Sequence, residues 1–179
     1  MTPAELAALE ALIVDVPDWP TPGVTFKDIT PLLGAPDALR RVVDALTEPY
    51  LDSGITKVAG IEARGFVLAA PVAYHLDAGF VPVRKPDKLP RTVRSRSYDL
   101  EYGSNTLAVH ADAFGPDDTV LVVDDVLATG GTAAATVALV QDSGATVVGV
   151  AVLMELSFLP WRKALAGVPV THLVSVGAP

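Results

Sequence analysis

The chain has 179 residues, half of them apolar, which is enough for one domain with a substantial buried core. Its formal net charge of -8 argues against general nucleic-acid binding, and the sequence contains neither an apolar run long enough to span a membrane nor a recognisable signal peptide. Because neither a membrane span nor a signal peptide is indicated, we expect a cytoplasmic protein. The sequence contains no cysteine, which excludes disulfides, thiolate metal ligands and a cysteine nucleophile.

The first part of the chain predicts a short helix and then an irregular arm. The segment PAELAALEALI (3–13) has the spacing of an amphipathic helix. Residues 16–26 contain three prolines and a glycine, which excludes a helix or a central strand, and Trp19 and Phe26 are the expected apolar anchors of this arm. A second helix is predicted from Pro36 to Leu51.

Further along, Val-rich strands alternate with helices. The predicted strands are Lys57–Ile61, Gly79–Val83, Thr119–Val123 and Ala145–Met154. A helix is expected after the first of them and another after the third. This order predicts an α/β fold in which a mostly parallel central sheet is covered by helices on both faces. We expect a single domain over residues 1–179, with residues 1–34 forming the N-terminal helix and arm.

Residues 84–106 contain no obvious core element. RKPDKLPRTVRSR, the first part of this stretch, holds six of the thirteen Lys and Arg residues of the chain. Loops of this length are usually functional or disordered. The stretch is therefore interpreted either as a solvated insertion or as a lid, formed by a loop or a hairpin, whose cations close over an anionic substrate. Glu101, which lies between Tyr98 and Tyr102, belongs to this stretch.

The motif VLVVDDVLATGGT (120–132) joins an apolar strand, two carboxylates and a glycine-rich turn. Such a turn at the carboxyl end of a strand often binds phosphate, and this one lacks both the Walker A and the G-x-G-x-x-G patterns. The hydroxyls of Thr129 and Thr132 suit a phosphate monoester, whereas Asp124 and Asp125 suit vicinal hydroxyls or a metal ion carrying water and sugar oxygens. A ribose with a 5-phosphate has both features.

Simpler interpretations compete with these. An isolated pair such as Asp124 and Asp125 would cap the following helix, although the attached ATGGT argues against that here. Glu101 is also compatible with a surface hairpin, and Phe26 with a purely apolar anchor. His75, His110 and His172 lack ligand spacing and are interpreted as structural or exposed. Glu155, which follows the last long predicted strand, could hydrogen-bond locally and is assigned no role.

Residues 120–132 resemble the phosphoribosyl diphosphate (PRPP) binding motif of type I phosphoribosyltransferases. Four further segments resemble the adenine phosphoribosyltransferases in order and spacing: residues 16–33, 59–66, 83–90 and 98–113. The resemblance extends from Val16 to about Leu165. It implies the type I phosphoribosyltransferase fold and a pentosyltransferase of purine salvage that converts adenine and PRPP to AMP and diphosphate. It also implies magnesium as cofactor and a homodimer.

The resemblance assigns a role to each matching residue. It places the 5-phosphate at Ala128, Thr129, Gly130, Gly131 and Thr132, with Asp124 and Asp125 on the ribose hydroxyls. It places the diphosphate at Glu62, Ala63, Arg64, Arg84, Lys85 and Lys88, with a cis peptide bond between Glu62 and Ala63. It places adenine at Thr25, Phe26, Lys27, Val126 and Glu101. Glu101 and Arg64 are the catalytic candidates, and magnesium is expected mainly through PRPP and water rather than through protein ligands.

Three features depart from the family pattern. Lys27 stands where many members have Arg, which removes a bidentate side-chain contact. Asp87 stands where Gly is common, and it adds a negative charge near the diphosphate. Arg91, Arg94 and Arg96 make the lid unusually basic, which suits either lid chemistry or solubility.

Two other functions remain open from the sequence. One is transfer to a different base such as hypoxanthine, guanine or xanthine. The other is a PRPP-binding regulatory domain without catalysis, which would be expected to carry a nucleic-acid-binding module or a basic face. The sequence has neither of these features, but the fold alone does not distinguish an enzyme from such a regulatory domain.

Overall fold

The structure is a computed structural model that describes residues 1–99 and 104–178. By its contacts the chain divides into two compact units, Met1–Ala45 and a second that begins at Leu46. Glu101 lies outside the described residues.

The first unit consists of short elements around the predicted arm. In chain order these are α1 (Pro3–Glu10), β1 (Val14–Val16), β2 (Phe26–Asp28), α2 (Thr30–Gly34) and the start of α3 (Pro36–Thr47). At the start of α1 the Thr2 side chain accepts from the Glu5 N–H while the Glu5 carboxylate accepts from the Thr2 N–H, a capping box that fixes where the helix begins. β1 and β2 pair in antiparallel fashion, so the arm is partly extended rather than wholly irregular.

The second unit contains the main sheet. After a 3₁₀ helix (Glu48–Tyr50), its elements are β3 (Lys57–Ile61), α4 (Arg64–His75), β4 (Gly79–Val83), β5 (Val93–Asp99), β6 (Ser104–His110), β7 (Thr119–Leu127), α5 (Gly131–Gln141), β8 (Thr146–Leu156), α6 (Trp161–Ala164) and β9 (Val170–Val176). Five strands form one parallel sheet in the order β4-β3-β7-β8-β9. The predicted α/β fold with a parallel sheet flanked by helices is confirmed.

The core explains why the central strands are continuous apolar runs. Val120, Leu121, Val122 and Val123 of β7 are fully buried, as are Val150–Met154 of β8. A strand covered on both faces has no side facing water, so its apolar residues do not alternate with polar ones. No helix within residues 1–99 or 104–178 has the length and apolar character needed to cross a membrane.

The strand order creates a topological switch point between β3 and β7. From β3 the chain passes through α4 to β4 on one side of β3, and the later strands β7, β8 and β9 are added on the other side. In open parallel sheets, ligands bind at the carboxyl ends of the strands where the order reverses. The end of β3, followed by Glu62, and the last part of β7, from Asp124 to Leu127, are therefore the expected ligand site.

Of residues 84–106, which are predicted to form a lid loop or hairpin, residues 85–92 are irregular, whereas residues 93–99 and 104–106 belong to strands. β5 and β6 form an antiparallel hairpin, and Arg84 makes a bridge to Ala108 that ties this hairpin to the end of β4. Alternate side chains of β5 contact α5: Arg94 and Arg96 at its C-terminal end, and Tyr98 at its N-terminal end. Residues 93–99 therefore take the hairpin form of the predicted loop or hairpin, and side-chain contacts with a distant helix stabilise this polar strand.

Candidate active site

A cleft with a volume of about 250 Å³ lies at the carboxyl ends of β3 and β7. Its lining comes from two separate parts of the chain, residues 61–64 and residues 124–130, 132 and 133, together with Val152. The predicted site residues in this lining are Glu62, Ala63, Arg64, Asp124, Asp125, Val126, Ala128, Thr129, Gly130 and Thr132. The fold thus brings the predicted diphosphate segment and the predicted ribose-phosphate motif to one place.

Residues 62 and 63 form the turn that follows β3. The peptide bond between Glu62 and Ala63 is cis, as predicted. The Glu62 carboxylate accepts from the Arg84 guanidinium, with Nε and Oε2 2.7 Å apart. Arg84 also donates to the Lys88 carbonyl oxygen. Arg84 therefore contacts a residue of the cleft and connects the cleft to the chain segment that carries Lys85 and Lys88.

The start of α4 lies unusually close to the end of β7. A Cβ atom at Gly65 would lie only 2.7 Å from Oδ1 of Asp124 and 3.1 Å from the Val123 carbonyl oxygen, so a side chain there would force the two elements apart. This close approach places the Arg64 guanidinium against the second carboxylate, with Nε 2.8 Å from Oδ2 of Asp125. The described residues thus pair the predicted diphosphate-binding cation with a predicted ribose-binding anion.

Asp124 and Asp125 form an electrostatically costly pair. Burial, followed by the neighbouring Asp125 charge, raises the pKa of Asp124 well above its usual value. Burial also raises the pKa of Asp125, although the Arg64 guanidinium opposes this. The Asp125 N–H donates to Oδ1 of Asp124 at 2.9 Å. Two adjacent carboxylates held in this way need hydroxyl or cation partners, which a sugar ligand would supply.

The glycine-rich turn leads into α5. Gly130 has φ of +85°, a left-handed conformation that glycine adopts without strain, and α5 begins at Gly131. Space at Gly130 is also restricted, because an added Cβ would lie 3.0 Å from Cβ of Ala164 and 3.1 Å from the Trp161 carbonyl oxygen. The turn therefore presents backbone N–H groups at a helix N-terminus and is supported from behind by α6.

The remaining cations of the predicted lid differ in their surroundings. Lys85 and Lys88 are exposed. Asp87 between them has φ of +66°, a left-handed conformation that explains why a glycine suits this turn. The three additional arginines contact other parts of the second unit: Arg91 pairs with Asp112, Arg96 with Asp142, and Arg94 donates to the Asp142 carbonyl oxygen.

The predicted adenine residues lie in different places. In the first unit, Phe26 packs edge-on against Trp19 with ring centroids 4.4 Å apart, and Lys27 forms an ion pair with Asp15 across β1 and β2 at 2.6 Å. Thr25 is exposed. In the second unit, Val126 lines the cleft. The Lys27 ammonium group is therefore engaged within the arm itself.

Two contacts near the cleft were not anticipated from the sequence. The Tyr98 hydroxyl lies 2.9 Å from Oγ1 of Thr132. Glu155 lies inside β8, one position beyond the predicted end of that strand, and accepts a hydrogen bond from the Trp161 indole. The position of Glu155 directly after a Val-rich strand is the one sequence signal for its contact with Trp161. No sequence signal indicates the contact between Tyr98 and Thr132.

Within residues 1–99 and 104–178, no three His, Asp or Glu side chains are arranged to hold a metal ion. The two carboxylates in the cleft are compatible with a magnesium ion that keeps water and takes most of its ligands from a substrate diphosphate, because Mg²⁺ is commonly bound in that way.

Comparison with known proteins identifies the family. The model of the phosphoribosyl transferase domain matches residues 32–163. The adenine phosphoribosyltransferase of Thermobifida fusca is 57% identical over 168 residues, covering 94% of this chain and 96% of that protein. The crystal structure of the Rhodothermus marinus adenine phosphoribosyltransferase matches with a TM-score of 0.94 and 53% identity over 98% of this chain and all of that one.

A more distant match adds ligands to the comparison. The adenine phosphoribosyltransferase of Trypanosoma brucei, whose crystal structure is in complex with AMP, pyrophosphate and ribose-5-phosphate, has a TM-score of 0.88 and 29% identity, with 97% of this chain and 80% of that chain covered. The fold, the cleft at the switch point and these likenesses lead to one conclusion: the chain belongs to the adenine phosphoribosyltransferases of the phosphoribosyl transferase family.

Proposed function

We propose that this chain transfers the 5-phosphoribosyl group of PRPP to adenine, giving AMP and diphosphate, and that the cleft between β3 and β7 is where it does so. One observation carries the assignment to this cleft: a carboxylate pair, a glycine-rich turn and Arg64 meet at the switch point of a parallel sheet. Relatives named for this activity cover nearly the whole chain.

In the proposed complex the 5-phosphate lies in the turn formed by residues 128–132. Its oxygens accept from the backbone N–H groups at the start of α5 and from the threonine hydroxyls, where the helix dipole favours an anion. Asp124 and Asp125 accept hydrogen bonds from the 2- and 3-hydroxyls of the ribose. These donors favour the ionised carboxylates and so offset the burial that raises the pKa of both groups.

The diphosphate lies at the other end of the cleft, beside Glu62, Ala63 and Arg64. Arg64 and the cations at positions 84, 85 and 88 stabilise the negative charge that grows on the diphosphate as it leaves. Charge stabilisation of this type is worth about 3 to 4 kcal/mol per well-placed donor in known enzymes. Magnesium, bound mainly through PRPP and water, would supply further neutralisation of the same charge.

The transfer step is a displacement at ribose C1. A ring nitrogen of adenine forms the new bond to C1, and the C1–oxygen bond breaks with its electron pair leaving on the diphosphate. Positive charge that develops on the sugar in an oxocarbenium-like transition state is favoured by Asp124 and Asp125. Glu101 accepts the proton that the adenine nitrogen loses. The lid, residues 84–106, limits the access of water to the reacting carbon.

Adenine recognition is assigned to the arm of residues 1–34. Phe26 stacks on the purine, and the backbone groups of Thr25 and Lys27 read its hydrogen-bonding edge, while Val126 contacts it from the cleft. Backbone recognition suits this arm because β1 and β2 hold residues 26–28 in an extended conformation and the Lys27 side chain is paired with Asp15.

We also propose that the protein is a cytoplasmic homodimer. The exposed side chains of Val67, Ala70 and Tyr74 follow one another at helical spacing on α4, and Tyr74 is 83% exposed. A second copy would cover this apolar stripe. Sedimentation of the protein and of a Tyr74→Glu variant would test this: a wild-type monomer would refute it. A cytoplasmic location suits an enzyme whose substrate PRPP carries too many charges to cross a membrane unaided.

The decisive experiment for the activity is diphosphate release from PRPP and magnesium with adenine, hypoxanthine, guanine, xanthine or no base at equal concentrations. We expect adenine to dominate. Activity with another base instead would change the substrate assignment. Tight PRPP binding without turnover for any base would replace the enzyme by a PRPP-binding regulatory protein.

A further inference from the structure

Glu155 is a buried carboxylate beside the glycine-rich turn. It is 3% exposed and lies near the end of β8, where it is in register with Leu127, the last residue of β7. The turn that begins at Ala128 therefore starts from the strand position next to this carboxylate. Carboxylates are seldom fully buried without several partners, so its contacts need an explanation.

The two oxygens of Glu155 bind different elements. Oε2 accepts from the Trp161 indole N–H at 2.8 Å and from the Arg162 guanidinium at 3.1 Å, both on α6. Oε1 accepts from the Ser175 hydroxyl at 2.9 Å and lies 3.3 Å from Nε2 of His172, both on β9. The Glu155 side chain thus connects α6 to β9, the edge strand of the sheet.

These partners keep the carboxylate ionised. Burial acts to raise the pKa of Glu155, but the donors and charges of Ser175, His172, Trp161 and Arg162 outweigh it and lower the pKa overall. Arg162 also lies over the Trp161 ring, with its guanidinium carbon 4.3 Å from the ring centroid. The indole is therefore fixed both at its N–H and on its face.

α6 in turn limits the position of the turn. The nearest atoms to a Cβ placed on Gly130 would be Cβ of Ala164 at 3.0 Å, and the carbonyl oxygen and Cα of Trp161 at 3.1 and 3.2 Å. Gly130 therefore packs against the backbone of the same residue whose indole binds Glu155. The contact is made by backbone rather than by a flexible side chain, so a shift of α6 would be transmitted to the turn.

We propose that Glu155 and Trp161 are positioning residues for the binding of the PRPP 5-phosphate: the Glu155 carboxylate holds the Trp161 indole, and Trp161 supports Gly130. The inference rests on the proposed placement of the 5-phosphate in the turn. Neither side chain contacts the substrate. Their effect is to hold the backbone N–H groups of the turn in the binding geometry before PRPP arrives, which reduces the ordering that binding would otherwise require.

The sharpest test compares two variants that each remove one donor from Glu155. Trp161→Phe keeps a ring at the position but removes the N–H that binds Oε2. Ser175→Ala removes the hydroxyl that binds Oε1 and leaves α6 untouched. Both remove a hydrogen bond to a buried carboxylate, so both should lower Tm, but Trp161 packs on Gly130 and Ser175 does not.

We expect Trp161→Phe to raise the KM for PRPP about 3- to 10-fold, with kcat and the KM for adenine within about twofold of wild type. Ser175→Ala should leave all three within about twofold. In calorimetry, Trp161→Phe should weaken ribose-5-phosphate binding by a similar factor and leave diphosphate binding unchanged. This pattern separates support of the phosphate turn from a general loss of stability.

Two further variants decide the alternatives. Thr132→Ala removes a hydroxyl of the turn itself and tests the placement of the phosphate. If it raises the KM for PRPP and Trp161→Phe does not, the inference is overturned and the placement stands. If neither variant changes the KM for PRPP, the positioning role of Trp161 and the placement of the 5-phosphate in the turn are both refuted. If Trp161→Phe does not fold, Glu155→Gln replaces it as the test. This variant keeps an acceptor for the indole but removes the charge, so it should raise the KM for PRPP less than Thr132→Ala does. An unchanged KM for PRPP in Glu155→Gln overturns the inference.

Discussion

The Tyr98 hydroxyl and Oγ1 of Thr132 lie 2.9 Å apart, and this contact joins the β5–β6 hairpin to the turn assigned to the PRPP phosphate. Arg94 and Arg96, on the same side of β5, contact the other end of α5. The hairpin therefore lies along α5 from one end of the helix to the other. Its Tyr98 end, which precedes Glu101 in the sequence, is the end that adjoins the cleft.

Replacement of Tyr98 by Phe should weaken PRPP binding without affecting the fold. The ring remains packed on the core, while the hydroxyl that orients the Thr132 side chain is lost. A hydrogen bond of this kind is worth about 0.5–1.5 kcal/mol, which corresponds to a rise in the KM for PRPP of about 2- to 10-fold.

The matched control for Tyr98→Phe is Ser97→Ala. The Ser97 hydroxyl lies 2.9 Å from that of Thr106 across the hairpin, so this variant also removes one hydroxyl contact of β5. Steady-state kinetics with both substrates would compare them. An equal change in the KM for PRPP in both variants would attribute the effect to the hairpin in general and contradict a specific role for the Tyr98–Thr132 contact.

Substitution of Arg91, Arg94 or Arg96 by Gln should leave the KM for PRPP within about twofold of wild type, because these side chains contact Asp112 and the end of α5 rather than the cleft. Exposed ion pairs of this type contribute only about 0–1 kcal/mol, so Tm should change little.

The KM for PRPP of the Lys85→Ala and Lys88→Ala variants should be compared with that of the three arginine variants. These exposed lysines are assigned to the diphosphate, and their loss should raise the KM for PRPP more at low salt than at high salt, because salt screens exposed charges. A rise of equal size in the arginine variants would show that all of these cations act on the substrate and that the contacts with α5 are incidental.

The parallel strands beside the site were predictable from the sequence. The bounds of β3 and β4 agree with the predicted ones residue for residue, because each strand is a short apolar run that ends directly before a charged residue, Glu62 or Arg84. β7 is longer than predicted and carries its extended backbone through Asp124 and Asp125 to Leu127. The prediction ended at Val123, where the apolar run stops, although the backbone pairing with β8 does not.

Elements stabilised by distant partners were not predictable. β5, with the sequence VRSRSYD, has mostly exposed side chains and no apolar face, and its stability comes from Arg and Tyr contacts with α5. β9 is an edge strand in which Val174 is the one fully buried residue. The contact of Trp161 with Gly130 joins residues 31 positions apart through the packing of α6, and no local pattern encodes it.

Glu101→Gln should lower kcat strongly with little change in PRPP affinity. Glu101 is assigned to accept the proton that adenine loses, and general-base catalysis contributes about a hundredfold to ten-thousandfold to a rate. An amide of the same shape cannot accept that proton, whereas PRPP binding does not depend on it. Asp99→Asn, which removes a carboxylate two positions earlier in the sequence, is the control. Rapid-quench measurement of AMP formation would isolate the chemical step, and an unchanged rate would remove Glu101 from the catalytic residues.

Asp124→Asn should stabilise the ligand-free protein while impairing PRPP binding. In the folded state, burial and the adjacent Asp125 charge raise the pKa of Asp124 above its ordinary value of 3.8. Ionisation is therefore less favourable in the folded than in the unfolded chain. This cost is absent well below the ordinary pKa, increases as pH rises above it, and is complete once pH exceeds the raised folded-state pKa.

The Asn variant does not ionise, so its gain in Tm over wild type should be largest near about pH 8 and shrink as the pH falls toward about 4. For a domain of this size each kcal/mol corresponds to about 2–4 °C. The amide oxygen can still accept from the Asp125 N–H, so the local hydrogen bond is retained. Thermal melts across this pH range, with Asp142→Asn as the surface control, would measure the effect. A lower Tm for Asp124→Asn near about pH 8 would mean that the Asp124 carboxylate stabilises the ligand-free protein. That result would contradict a ligand site in which the carboxylate is destabilising until a sugar binds.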